Sequence, residues 1–291
     1  MVRFLSKFRK AIWLAYEHDV LNTAKALAYS GMLMLFPALV VVATLVAFVP
    51  EGTTLAGELR SGFDQFLPAD TIALIQTSLA AKRVHSAQLI FSATSLSIFA
   101  SVGLMLSLMD GFRRAYRLPR NDWGIWSRSF RAILLLPISL GPLALATLIL
   151  VFGHPIEVWM IANAGHDFKV IVLVMWRLAR WTLAFVTCVS VLLVLYHFGT
   201  KRKENWPFVI TGAVAASLVW FAATIAFGWY VTRIADYSMY YGSFAAGIAT
   251  LVWLYITAIS VLLGAELNGV LFRERMQAAR DASRTRPADP A

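Results

Sequence analysis

The chain is predicted to be an all-α membrane protein, a polytopic bundle of six transmembrane helices with both termini cytoplasmic. Three observations predict it. Of the 291 residues, 59% are apolar and only 14% are charged, well below the quarter usual in soluble domains. The apolar residues gather into six runs, at 24–49, 89–109, 130–152, 170–198, 207–232 and 241–271. Each can supply the roughly 20 helical residues that a hydrocarbon core of about 30 Å requires. The basic residues between the runs also alternate, 19 Lys and Arg falling on one side and 5 on the other. The positive-inside rule makes the richer side cytoplasmic. The net charge of +10 is then a topology signal and an attraction to anionic headgroups. No nucleic-acid partner is expected.

Residues 1–22 form a cytoplasmic or interfacial segment. Phe4, Phe8, Ile12 and Tyr16 would share one face of a helix over 3–16, with Lys7, Arg9 and Lys10 elsewhere. That pattern suits an amphipathic helix lying on the inner surface; a frayed basic tail is the alternative. No cleavable signal peptide is expected, because the first run is long and no small-x-small site clearly follows it. Glu17-His18-Asp19 is the one cluster of acids with a histidine, and there Asp19 or Asn22 suits a helix cap.

The transmembrane domain is expected over 23–272. Pro37 interrupts the first span and removes a backbone donor. The outer connection, 51–88, has room for short helices at Leu55–Phe66 and Thr71–Ala80, parted by Phe66-Leu67-Pro68, with Asp70 a cap for the second. Pro137 with Gly141-Pro142 breaks the third span, leaving carbonyls that a neighbour or water must satisfy.

In the fourth span Arg177 and Arg180 lie three apart in WRLARW. They sit about 12 to 17 Å in from Lys169 along a helix. Either they snorkel to the interface beside Trp176 and Trp181, or they donate to an anionic group such as a lipid phosphate.

The fifth span carries a small-residue stripe, Gly212, Ala215, Ala216, Ala223 and Ala226. The last carries Gly242, Ala246, Thr250, Thr257, Ser260, Gly264 and Asn268. Such stripes let helices approach closely in lipid; alternatively the Thr/Ser/Asn series lines a polar crevice. Lys25, Asp110 and Glu266 stand at the inner ends of three spans and are expected to form an ion cluster, structural or gating. The tail, 273–291, is expected to be disordered, above all the polar stretch Ala278–Ala291 with Pro287 and Pro290.

Catalytic signatures are missing from the sequence: no phosphate-binding glycine loop, no HExxH and no GxSxG. The five histidines are scattered, and the single Cys188 rules out an intramolecular disulfide or a thiolate cluster. An enzyme is not expected, nor a metal or cofactor. Candidate pathway or lipid-contact residues are Arg177, Arg180, Pro37, Pro137, Gly141, Pro142, Thr257, Ser260 and Asn268, since broken helices often line substrate sites. No internal repeat marks an inverted-repeat transporter.

Four places carry a resemblance. They are Ala26-Leu27-Ala28-Tyr29 with Leu35-Phe36-Pro37; Phe66-Leu67-Pro68; Leu140-Gly141-Pro142; and the last span, from Tyr241-Gly242 through Val252-Trp253-Leu254-Tyr255 to Leu263-Gly264-Ala265-Glu266-Leu267-Asn268. In this order the chain resembles the YihY/BrkB family of bacterial inner-membrane proteins over residues 10–275. The resemblance implies six transmembrane helices with both termini inside. The family once carried a ribonuclease label since regarded as mistaken, and members have been linked to serum resistance and to envelope-lipid transport. It supplies no catalytic residues. The reading that follows is a transporter-like or lipid-handling membrane protein with membrane lipids, anionic ones included, as partners. A structural or assembly partner of an envelope complex is the alternative, and a membrane ribonuclease a remote one. A homo-oligomer is compatible with either of the first two.

Overall fold

The structure, a computed structural model, describes residues 2–47, 83–119, 124, 126–142, 169–200, 205–233 and 245–285. Among these, all regular structure is α-helical: α1 (Val2–Glu17), α2 (Val20–Ala47), α3 (Arg83–Ala115), α4 (126–142), α5 (Lys169–Phe198), α6 (Trp206–Arg233) and α7 (Ala245–Thr285). The expected short helices at 55–66 and 71–80, the end of the third span, and 241–244 lie outside the described residues.

Long apolar runs give long helices, and four of those described are long and apolar enough to cross a membrane: Phe91–Ala115, Val174–Phe198, Trp206–Val231 and Ala245–Ala282. Phe91, Phe99, Met175, Leu178, Trp181, Ile225 and Trp229 all point outward from them. Water would penalise so large an apolar exterior, whereas hydrocarbon does not. α2 runs through Pro37, and α4 through Pro137 as far as Pro142. Each proline leaves one carbonyl of the preceding turn without its helical donor.

Sequence and structure differ at two ends. α7 does not stop at the apolar boundary but continues to Thr285, where disorder was expected. Residues 273–285 (RERMQAARDASRT) are rich in good helix formers, and the first breaker is Pro287. At the other end α1 is the expected helix, but the apolar face expected to lie on the membrane surface is divided. Ala11 and Leu14 are buried and Phe8 packs beside them, while Ile12 and Tyr16 are exposed. Of the two expected cap residues, Asp19 stands directly before α2, while Asn22 lies inside it and accepts a bond from Lys25 Nζ at 3.1 Å.

The chain divides into two compact units. One comprises 1–21, 108–221 and 259–291, the other 22–107 and 222–258. In the second unit α2 packs on α7 through Gly31 beside Leu254 and Met32 beside Gly247. Ser97 of α3 donates to the Met34 carbonyl at 3.3 Å.

The first unit has the tighter core. Ala11 and Leu14 of α1 meet Ala215 of α6 and Leu267, Val270 and Leu271 of α7. Residues 264–271 are buried without interruption, so this part of α7 is enclosed on every side rather than presenting one apolar face. Small residues permit that: a Cβ on Gly212 would strike Asn268 and the Gly264 carbonyl, and one on Gly264 would strike Tyr196 and Ala216. Asn268 fastens the contact, accepting from Gly212 N at 2.9 Å and donating to the Val209 carbonyl at 3.0 Å. Tyr196 of α5 donates to the Val261 carbonyl at 2.6 Å and meets Phe112 edge to face at 5.1 Å.

Candidate functional site

Within the first unit three helices bring polar groups to one carboxylate, Glu266, whose side chain is 1% exposed. α7 supplies it from the middle of its enclosed stretch. The end of α1 supplies His18, which is 16% exposed, and the end of α3 supplies Arg117.

The helix ends fix these side chains. In α3 the Leu118 amide donates to the Arg113 carbonyl and the Arg117 amide to the Arg114 carbonyl, both at 2.9 Å. This paired pattern defines a Schellman termination with Arg117 at the left-handed position. Its φ is 53°, a conformation that favours glycine and costs other residues roughly 1–2 kcal/mol. α1 ends similarly: the His18 amide donates to Leu14 at 2.8 Å and the Asp19 amide to Tyr16 at 3.2 Å, with Asp19 at φ 57°. Two helices therefore turn sharply beside α7. The residue before one left-handed position and the residue at the other point toward Glu266.

The geometry also settles the histidine tautomer. Arg117 Nε, which can only donate, lies 3.3 Å from His18 Nε2. That nitrogen is the acceptor, so Nδ1 carries the proton and donates it to Glu266 Oε1 at 2.7 Å. Arg117 also reaches back to Glu17 of α1, Nη2 to Oε2 at 4.0 Å. Glu17 Oε1 accepts from Trp13 Nε1 at 3.0 Å. On the α7 side Arg273 Nη1 donates to the Ala115 carbonyl at 2.8 Å, satisfying an end group of α3. Gly269 lets that helix end arrive, since a Cβ there would collide with the same carbonyl. In this cluster two buried atoms, Glu266 Oε2 and Arg273 Nη2, have no hydrogen-bond partner among the described residues.

Asp110 and Glu266, expected in one cluster with Lys25, have separate partners within the first unit. Asp110 is taken by Arg128 Nη2 and by Arg113 Nε, at the end of its own helix and the start of the next. Glu266 is taken by His18, and Lys25, in the other unit, bonds Asn22. Each of these two carboxylates takes a cation or donor carried at or beside a helix end of the first unit.

The candidate pathway residues are divided between the two units. Arg177 is exposed and Arg180 half-buried near the start of the apolar part of α5, beside exposed Trp181. Pro137, Gly141 and Pro142 lie on the exposed side of α4, with nothing packed on Gly141. Pro37 is half-buried in the second unit. On α7, Thr257 donates to the Trp253 carbonyl of its own helix at 2.9 Å. Ser260 is buried, and Asn268 is consumed in holding α6. His18, Arg117 and Arg273 did not stand out in the sequence. The only hint was the Glu17-His18-Asp19 triplet.

Among the described residues no three His, Cys, Asp or Glu side chains are grouped to hold a metal ion. The residues described thus make a helical membrane protein in which a buried carboxylate is held by two helix ends. The chain belongs to the family described as virulence factor BrkB, whose model matches residues 14–289. It is 27% identical over 274 residues to the ribonuclease-like protein YfkH of Bacillus subtilis, covering 92% of this chain and 96% of that one. It is 29% identical over 279 residues to a UPF0761 membrane protein of Chromohalobacter salexigens, spanning 93% of this chain but 64% of that longer one. A UPF0761 membrane protein of Mannheimia succiniciproducens is 23% identical over 272 residues, with 92% and 90% covered. No solved structure matches the chain.

Proposed function

We propose that this is a six-span protein of the bacterial inner membrane, both termini cytoplasmic, that acts in a transporter-like way on envelope lipids and has no enzyme centre. The buried Glu266 carries the reading. A carboxylate inside a membrane helix is expensive and is by default a functional residue. This one spends Oε1 on His18 and leaves Oε2 open, so it can take a proton or a passing group. Its neighbours come from the ends of α1 and α3, so a change at Glu266 acts on three helices at once. The 19-to-5 distribution of basic residues supports the topology.

The test is reconstitution in vesicles containing fluorescent lipids. Movement between leaflets above that of empty vesicles, abolished by Glu266→Gln in protein that still inserts, is the expected result. No movement, with no lipid co-purifying, overturns it.

A second reading, a structural or assembly partner of an envelope complex, draws on Asn268 and Thr257. The Asn268 amide is used in holding α6, and the Thr257 hydroxyl donates within its own helix. Under it Arg177→Ala/Arg180→Ala leaves the phenotype intact, and a partner co-purifies. The printed name of YfkH raises a ribonuclease as a third. Cleavage of RNA by purified protein with Mg²⁺, lost on changing one carboxylate, would establish that activity.

A further inference from the structure

α1 is a helix with two working faces, one of which docks on other helices among the described residues. At 100° per residue, Phe8, Ala11 and Leu14 lie on the side docked against α6 and α7. Lys7 pins that side to Glu274 of α7 at 2.8 Å. On the opposite side Ser6, Arg9, Lys10, Ile12, Trp13 and Tyr16 line a groove of about 560 Å³. Its large apolar residues are left outside: Ile12 is 50%, Trp13 67% and Tyr16 74% exposed.

We propose that this outer face of α1 binds anionic phospholipid, with acyl chain against Ile12, Trp13 and Tyr16 and the headgroup phosphate on Arg9 and Lys10. Three observations select that occupant. Trp and Tyr are the side chains suited to the headgroup level, apolar in body and polar at one edge. The Trp13 indole N–H is already given to Glu17, which leaves its ring to apolar neighbours. The charge is complementary: both basic groups of the groove are exposed. The one acid of α1, Glu17, lies past its far end, engaged by Trp13 and Arg117. Location does the rest. α1 docks on α6 and α7, two helices long and apolar enough to cross a membrane, and this docking holds the groove close to the bilayer. The inference needs only that the protein resides in a membrane; it is independent of whether lipid is moved.

The experiment uses the full chain in nanodiscs with acyl-brominated lipid, the bromine carried either by phosphatidylglycerol or by phosphatidylcholine at equal content. The Trp13 signal is the emission of the wild type minus that of Trp13→Phe. Quenching several-fold stronger by the anionic lipid, lost in Arg9→Gln/Lys10→Gln, is the expected result. Equal quenching by both lipids overturns the proposal. So does no quenching by either, which would mean that water or a protein covers the face, and so does a preference that survives the double substitution. Should that variant fail to fold, the wild type decides alone. Raising salt from about 0.1 M to about 0.5 M roughly halves the Debye length and should bring the preference toward unity; an unchanged preference sinks the idea.

Discussion

His18 gives its Nδ1 proton to Glu266 across 2.7 Å, joining the last residue before one helix bend to the centre of another helix 248 positions away. The bond is neutral on the histidine side, because Nε2 is already an acceptor for Arg117. It therefore solvates the carboxylate without cancelling its charge. That task is shared with Arg117 and Arg273 at longer range.

Removing the donor should be costly. His18→Ala leaves a buried carboxylate with neither oxygen bonded, and an orphaned buried acceptor costs about 1–3 kcal/mol. Thermal unfolding in detergent should show the variant clearly less stable. Adding Glu266→Gln to it should recover part of the loss, since a neutral amide is cheaper to strand than a charge. A double variant no more stable than His18→Ala would contradict the pairing.

Arg117 separates backbone from side chain. Arg117→Gly removes the guanidinium but relaxes a left-handed residue, whereas Arg117→Ala removes the same group and keeps the strain. The glycine variant should be the more stable by about 1 kcal/mol, while both lose the Glu17 and His18 contacts equally. Equal unfolding temperatures would mean that the turn at 117 is not left-handed.

Glycines should divide by what faces them. Gly212→Ala, Gly264→Ala and Gly269→Ala each place a Cβ into backbone or buried side chains. Overpacking of this kind costs about 1–3 kcal/mol. Gly103→Ala and Gly141→Ala meet nothing within 4 Å and should stabilise their helices slightly. Survival of the folded fraction after heating orders the five.

Asn268→Leu tests the α6–α7 fastening. It deletes two buried hydrogen bonds to the backbone of α6, which inside membranes average about 0.6 kcal/mol each and reach about 1.7. The larger side chain also crowds Gly212. A loss of 1–3 kcal/mol, read by unfolding in detergent, is expected; an unchanged stability would mean the amide is not inserted there.

Much of the helical framework could be read in advance because hydropathy reports on solvent, and here the solvent is lipid. α5 and α6 begin and end within one residue of their apolar runs. α3 starts six residues before its run, at Arg83, because Ser, His and Gln in its first turns are helical without being apolar. α7 outlasts its run for the same reason. Glu266 and Asn268 stood out as polar letters in an apolar stretch. Their partners did not, because periodicity is a local property and the His18 and Arg117 contacts span 248 and 99 positions. The docking of α1 was not read from the sequence, because Ala11 and Leu14 meet residues of α6 and α7 far along the chain.

Trp13, Glu17, Arg117, His18 and Glu266 are linked in sequence by hydrogen bonds and an ion pair. One end of that chain lies on the groove proposed for lipid and the other is buried at Glu266. The two ends then belong to one thermodynamic cycle. Whatever factor neutralising Glu266 applies to lipid affinity at α1, lipid at α1 must apply, in equal measure, to the proton affinity of Glu266. The first helix would act as a two-way transducer between the composition of the membrane and the charge on a single buried side chain.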